Sequence, residues 1–296
     1  MVTRFRATYI KGKHMIRIFT DSTADLSPEL IKRYNITVIP LHICLDDKEY
    51  RDGLEITPAE IYKWADEHNT TPKTSAVSME DAAGAFRPVI EAGDEIIAFT
   101  ISSKMSTTFN VLNIAAESLN AADKISIIDS ENLSTGIGLL VLTAADLVSS
   151  GEAREDIVRE INNLRSSVRA SFVVDTLIYL HRGGRCSSVA ALAGSMLKLH
   201  PEIIVRDGAM LADKKYRGRI DTVTLDYVHD MELSLLDARP ERVFITHSGA
   251  SDEVVSKVKE YLQSLKCFKE IHITRAGGVI SSHCGPGTLG VLFIAK

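Results

Sequence analysis

The run SSHCGPGTLGVLFIAK, residues 281–296, decides what kind of α/β protein this chain can be. It contains G-x-G-x-x-G at Gly285, Gly287 and Gly290. A dinucleotide loop with that spacing follows a strand, opens a helix, and is followed about twenty residues on by an acid for the ribose. Here only six residues follow Gly290, and Val291-Leu292-Phe293-Ile294-Ala295 is β-branched and aromatic. It reads as a terminal strand, with no helix N-terminus left to hold a pyrophosphate. The Gly-Pro-Gly is therefore expected to turn the backbone tightly and to present His283 on a fixed loop.

Working outward, apolar strand-like runs alternate with capped helical segments. IRIFT (16–20) leads to Ser27-Pro28, a cap followed by proline at the first helical position, where no hydrogen bond is lost. ITVIPLHI (36–43) reads as one strand. Thr57, Pro58 and Glu60 form a capping-box pattern. Ser78 opens a helix weakened at Pro88. EIIAFTI (95–101) and KISIIDS (124–130) are strands, and residues 134–151 form a helix apolar nearly all round, hence buried. After about residue 165 the pattern changes: Asp207-Gly208 marks a hairpin, a helix is expected over about Thr222–Asp237, and KEIHITRAG (269–277) and the terminal run are strands. The expectation is an α/β protein in two parts. Residues 15–165 form an N-terminal domain with a mainly parallel sheet. Residues 166–296 form a C-terminal domain with a mixed sheet, whose final strand packs back toward the first. Residues 1–14 are basic without an apolar core and stand before Met15. They are expected to be a disordered extension or to precede the start used in the cell.

Composition narrows the function. A net charge of −5, with 25% charged and 45% apolar residues, lacks the basic footprint of a nucleic-acid binder. No apolar run is long enough for a membrane span, so membrane contact is expected to be at most transient. The four cysteines form no C-x-x-C pair, which fits reduced thiols and a cytoplasmic location. The nine histidines include no H-x-x-x-H or H-E-x-x-H pair, so no metal is expected.

Hydroxyl-rich clusters follow or precede the strands: Asp21-Ser22-Thr23, Thr71–Ser78 and Ser102–Thr108. Each can be helix capping. Together, at strand ends, they suit an anion in the crevice of an open sheet. Phosphate normally recruits more than Lys73 and Lys104. A carboxylate can be held by a few hydroxyls and an imidazole. The rival is a serine hydrolase or esterase acting on acyl substrates, with Asp129 or Asp21 orienting a histidine, but no G-x-S-x-G elbow occurs.

IRIFTDSTADLSPELIKRYNITVIPLHI, TSAVS, ISSKMSTTFN, LIYLHRGGRCSS, LKLHPEI and HCGPGTLGVLF occur in an order and spacing that resemble the bacterial DegV family, the lipid-binding proteins that include the fatty-acid-binding subunit of fatty acid kinase. The resemblance covers nearly the whole chain from Met15. It implies the family's two-domain (EDD) fold with a long-chain fatty acid buried inside. It further implies that the carboxylate is held by Thr74, Ser103 and His283, with Ser75 and Ser102 as second choices. Arg185 would stand at the rim, facing the carboxylate or the partner. It also implies no catalytic residue and no cofactor: a separate ATP-dependent kinase subunit phosphorylates the bound acid. The chain departs from the family where T-S-Q-P-S reads TSAVS and where S-G-T-Y reads STTF, at Ala76, Thr107 and Phe109.

A fatty acid needs a deep apolar slot. At roughly 0.8 kcal/mol per methylene, about fourteen methylenes supply about 11 kcal/mol before association costs, so the tail sets affinity and the polar groups choose the head. GIGLLVLTAADLV (136–148) and VAALAGSMLKL (189–199) can wall such a slot or be plain core, and Met105 and Met196 can adapt it to different tails or fill gaps.

Overall fold

The computed structural model describes residues 15–186, 188 and 199–296. Strands β1 (Ile16–Asp21), β2 (Thr37–Ile39), β6 (Glu95–Thr100) and β7 (Ile125–Asp129) form a parallel sheet in the order β2-β1-β6-β7. A small antiparallel sheet, β4-β3-β5, is made by β3 (His42–Leu45), β4 (Lys48–Arg51) and β5 (Lys73–Ser75). The third sheet runs β10-β9-β8-β13-β11-β12, from β8 (Val168–Val173), β9 (Leu199–Arg206), β10 (Ala209–Arg217), β11 (Ala238–His247), β12 (Glu270–Arg275) and β13 (Leu289–Ala295). It is mixed: β11 and β12 are parallel, the other neighbours antiparallel. The terminal strand β13 is central, buried from Leu289 to Ile294, which is why it carries no polar alternation.

The helices among the described residues are α1 (Pro28–Tyr34), α2 (Pro58–His68), α3 (Met79–Glu91), α4 (Thr108–Ser118), α5 (Thr135–Ser149), α6 (Arg154–Leu164), α7 (Ile178–Gly183), α8 (Ile220–Asp230), α9 (Glu232–Leu236), α10 (Asp252–Ser264) and α11 (Gly278–Cys284). The expected caps are in place. Ser27 Oγ accepts the Leu30 N–H, and Thr57 and Glu60 satisfy each other's backbone N–H groups. Helix α3 runs through Pro88. Helix α5 lies between the parallel and the mixed sheets, in one core with Ile18, Phe99, Phe172, Phe244 and Leu292. A helix covered on both sides needs apolar residues around its whole circumference. Gly138 lets a neighbouring side chain pack closely: a Cβ there would stand 2.8 Å from Leu26 Cδ2.

Three expectations are corrected. Residues 36–43 are not one strand: they break at Pro40 into β2 and β3, which lie in different sheets. Proline offers no ladder N–H, and the next N–H, of Leu41, is taken by Ser22 Oγ at 3.1 Å. The helix expected over 222–237 is two, α8 and α9, which meet at Met231. Between β12 and the Gly-Pro-Gly stands α11, so His283 is in the last turn of a helix and not on a loop. The slot-wall reading of 189–198, Met196 included, lies outside the described residues.

Candidate functional site

Strand β5, the loop after β6, the β9–β10 hairpin and α11 converge on a cavity of ≈ 400 Å³. The β3–β5 register, Ile43 opposite Thr74, sets the position of Thr74. The loop after β6 is pinned at three consecutive N–H groups. Ile101 donates to Asp21 Oδ2 at 2.7 Å, Ser102 to the Asn132 carbonyl at 2.9 Å and Ser103 to Asp129 Oδ1 at 3.2 Å. Two of those acceptors end neighbouring strands of the parallel sheet, so strand order itself places Ser103.

Thr74 Oγ1 and His283 Nε2 are 2.9 Å apart. The imidazole is clamped from behind: a Cβ on Gly183 would stand 2.4 Å from His283 Nδ1, so only glycine fits there. Nδ1 is buried with no hydrogen-bond partner among the described residues. Burial, with the Arg185 guanidinium adding to it, holds the imidazole pKa down to about 4, so the ring is neutral at pH 7. A proton on Nδ1 would be an unmet buried donor, the costlier of the two ways to leave that nitrogen. We therefore assign the proton to Nε2, which donates to Thr74 Oγ1. The threonine hydroxyl hydrogen is then free to donate into the cavity, strengthened by the bond it accepts.

The expected residues divide. Thr74, His283, Ser103 and Arg185 line this one cavity, and the Ser103 hydroxyl has no hydrogen-bond partner among the described residues. Arg185 is exposed at the mouth, its Nη1 donating to the Gly183 carbonyl at 2.8 Å. Ser75 is on the rim, its hydroxyl donating to Glu49 at 3.1 Å. Ser102 does not face the cavity: it is fully buried, donates to the Gly208 carbonyl at 2.7 Å and accepts the Lys104 N–H. A Cβ on Gly208 would meet Ser102 Oγ at 2.6 Å, so this serine locks the β9–β10 hairpin onto the loop after β6.

The deeper wall is apolar: Leu41, Ile101, Met105, Leu133, Ile280 and Cys284. Leu133, Ile280 and Cys284 also border a second hollow of ≈ 20 Å³ reaching Phe172 and Leu292, so an apolar path leads from the polar mouth toward the core under the mixed sheet. Of the two readings open for Met105, lining and core filling, it meets both: it borders the cavity and is part of the buried core. Helix α5 contributes no lining side chain here among the described residues; it is core. Ile280, Cys284 and Met210 were not foreseen, the first two because α11 was not. A larger hollow of ≈ 560 Å³ lies against β8, β9 and β10, but it holds none of the expected residues, and its Arg165 and Lys214 are paired with Glu131 and Asp230. Among the described residues no group of His, Cys, Asp or Glu has metal-holding geometry.

The hydrolase arrangement does not form. Asp21 accepts from Thr23 and Ile101, Asp129 from Ser103 and Glu131, and among the described residues neither is bonded to His283. With Nδ1 against Gly183, the imidazole has, among the described residues, no carboxylate partner of the kind that orients the base of a serine nucleophile.

The architecture is thus an α/β protein whose inter-sheet cleft has a hydrogen-bonding mouth, with Arg185 at its rim, and an apolar interior. Residues 15–296 match the model of the DegV family of uncharacterised proteins, and the chain belongs to that family. A DegV domain-containing protein of Caldanaerobacter subterraneus is 33% identical over 95% of this chain and 99% of its own length. A fatty-acid-binding DegV family protein from Thermus thermophilus superposes with a TM-score of 0.87 at 30% identity, covering 95% of this chain and 100% of that one. A stearic-acid-binding protein from Eubacterium ventriosum does so at 0.83 and 28% identity, over 95% and 99%. No helix among the described residues is long and apolar enough to cross a membrane.

Proposed function

We propose that this protein binds a long-chain fatty acid, holds its carboxylate at Thr74 and Ser103 with His283 behind Thr74, and presents it to a separate ATP-dependent kinase subunit in the cytoplasm. The observation that carries the reading is the Thr74–His283 hydrogen bond at the polar mouth of an otherwise apolar cavity. A volume of ≈ 400 Å³ falls within the range of roughly 300–1,000 Å³ usual for small-ligand sites. A carboxylate received by hydroxyls gains charge-assisted bonds without a buried counter-charge. The tail runs past Met105 to Leu133, Ile280 and Cys284, where burial pushes the Cys284 thiol pKa up and keeps it neutral. Fatty-acid binding by relatives at 28% and 30% identity supports the same reading. Arg185, exposed and charged at the mouth, is where a phosphoryl donor on another subunit would meet the acid. Among the described residues no serine nucleophile is paired with His283 and an orienting carboxylate, and the chain acts as a carrier.

The test is extraction. Purified protein is denatured, extracted with solvent and analysed by mass spectrometry. The expected result is a stoichiometric fatty acid from the native chain and little from the Thr74→Ala/Ser103→Ala double variant. Equal retention by a folded double variant, or turnover of activated acyl esters that depends on Ser103 and His283, would overturn it.

A further inference from the structure

Helix α11 carries the head-group histidine and two of the three neck residues, Ile280 and Cys284. Its own sequence does little to hold it. It has seven residues, begins at Gly277-Gly278, and its N-cap residue has no side chain to accept the first amides. Two carboxylates from the far end of the chain accept them instead. Gly277 N–H donates to Asp25 Oδ1 at 2.7 Å and Gly278 N–H to Asp52 Oδ1 at 2.8 Å, across 252 and 226 residues of sequence.

Each carboxylate is itself fixed through its other oxygen. Asp25 Oδ2 accepts from Ser134 Oγ at 2.6 Å, next to the start of α5. Asp52 Oδ2 accepts from Ser22 Oγ at 2.8 Å. Asp25 is 6% and Asp52 3% exposed, and neither makes an ion pair among the described residues. The fit is close: a Cβ on Gly278 would stand 2.6 Å from Ile43 Cδ1 and 2.7 Å from Asp52 Oδ1.

We propose that Asp25 and Asp52 are positioning residues for the ligand site: by capping Gly277 and Gly278 they set where α11 begins, and so where His283 meets Thr74 and where Ile280 and Cys284 narrow the tail path. This rests on the fatty-acid reading above and deepens it. His283 is five residues beyond Gly278, about 7.5 Å along the helix, and a hydrogen bond of 2.9 Å is lost within about 1 Å of displacement. Protonation of Asp25 leaves the cap intact, because Oδ1 still accepts the Gly277 amide while the acid proton turns to Ser134. Asparagine reproduces that neutral form, with its carbonyl toward the amide and its NH₂ toward the serine.

The test compares Asp25→Ala and Asp52→Ala with Asp25→Asn and Asp52→Asn in the full chain. Two readouts are used: the ¹⁵N imidazole signal of His283 in delipidated protein, and palmitate affinity by calorimetry. The alanine variants are expected to move the imidazole signal and to bind palmitate about tenfold or more weakly, the fold-change that one unmet buried donor corresponds to. The asparagine variants are expected to restore both. A folded alanine variant with a native imidazole signal and native affinity overturns the proposal, as does asparagine that fails like alanine. Should the alanine variants not fold, Ser134→Ala, which among the described residues frees only the second oxygen of Asp25, is read in the same way, and an unmoved imidazole signal there overturns it. A native chain that binds no palmitate refutes the fatty-acid reading alone, because the imidazole readout needs no lipid.

Discussion

Replacing Thr74 by valine keeps the branched shape and removes one atom, Oγ1. Without ligand, His283 Nε2 then loses its partner at 2.9 Å, while Nδ1 has none among the described residues, so the part-buried ring keeps no protein partner there at either nitrogen. Nε2 faces the cavity, so the loss is about 1 kcal/mol if water reaches it and about 3 kcal/mol if the N–H stays unmet. In a chain of this size each kcal/mol moves the melting temperature by about 2 °C, so the delipidated variant should melt about 2–6 °C lower. With ligand, the lost bond is a charge-assisted one from the threonine hydroxyl to the carboxylate, about 1.5–3 kcal/mol. Palmitate affinity should fall by about 10- to 150-fold, since each 1.4 kcal/mol is tenfold. The assay is thermal unfolding of delipidated protein with a calorimetric isotherm for palmitate, repeated with hexadecanol, whose tail is as long but whose head carries no charge. The penalty of the variant should be large for the acid and much smaller for the alcohol. An unchanged melting temperature would mean that the Thr74–His283 bond does not hold the ring. An equal penalty for acid and alcohol would mean that Thr74 does not read the carboxylate.

Adjacent serines should part company. Ser102→Ala removes a buried bond to Gly208 and is expected to lower stability by about 1 kcal/mol without weakening palmitate binding, while Ser103→Ala does the reverse; denaturant melts beside isotherms would show both. Arg185→Ala should reduce acyl-phosphate formation by a partner kinase more than it reduces palmitate affinity, and equal turnover would remove the role given to the rim arginine. Burial raises the pKa of Asp25 to about 8 and that of Asp52 in the same direction, so the folded chain keeps protons that the unfolded chain releases above about pH 4. The stabilising contribution of Asp25 is full below that pH and is lost as pH rises toward 8, and that of Asp52 is lost in the same direction. His283, with its depressed pKa, has the opposite slope: it costs the folded state stability as pH falls below about 6.5 and adds no slope above it. The melting temperature should therefore fall from pH 6.5 to 8, and Asp25→Asn should flatten that slope.

Much of the fold was legible because its signals are local. Ser27-Pro28, the Thr57/Glu60 box and Asp207-Gly208 each involve residues within four positions of one another, and each produces the expected cap or turn. The apolar circumference of α5 reads as a buried helix, and the helix is buried in the core between two sheets. Pro40 misled because the run around it keeps its β-rich composition across the break. Composition registers that a segment is extended, not that it leaves one sheet for another.

The site was legible in its chemistry and less so in its geometry. Thr74, Ser103 and His283 stand out as polar residues beside strand ends and a glycine turn, yet nothing local separates Ser103 from Ser102. The pair lies where β6 gives way to a turn, so no strand alternation sorts the two hydroxyls, and only the contact with Gly208 decides which faces inward. Helix α11 was hidden for a stronger reason. Seven residues starting at two glycines carry neither periodicity nor a cap, and their acceptors, Asp25 and Asp52, lie in loops near the opposite terminus. A helix held from so far away has no local signature, and for that reason its placement depends on the whole fold. The histidine at its end is then positioned only when the parallel sheet, the small sheet and the mixed sheet have all come together. On the proposed reading, a folded chain presents a formed carboxylate site and a partly unfolded one does not, an arrangement suited to a carrier that must not expose a half-made slot to lipid.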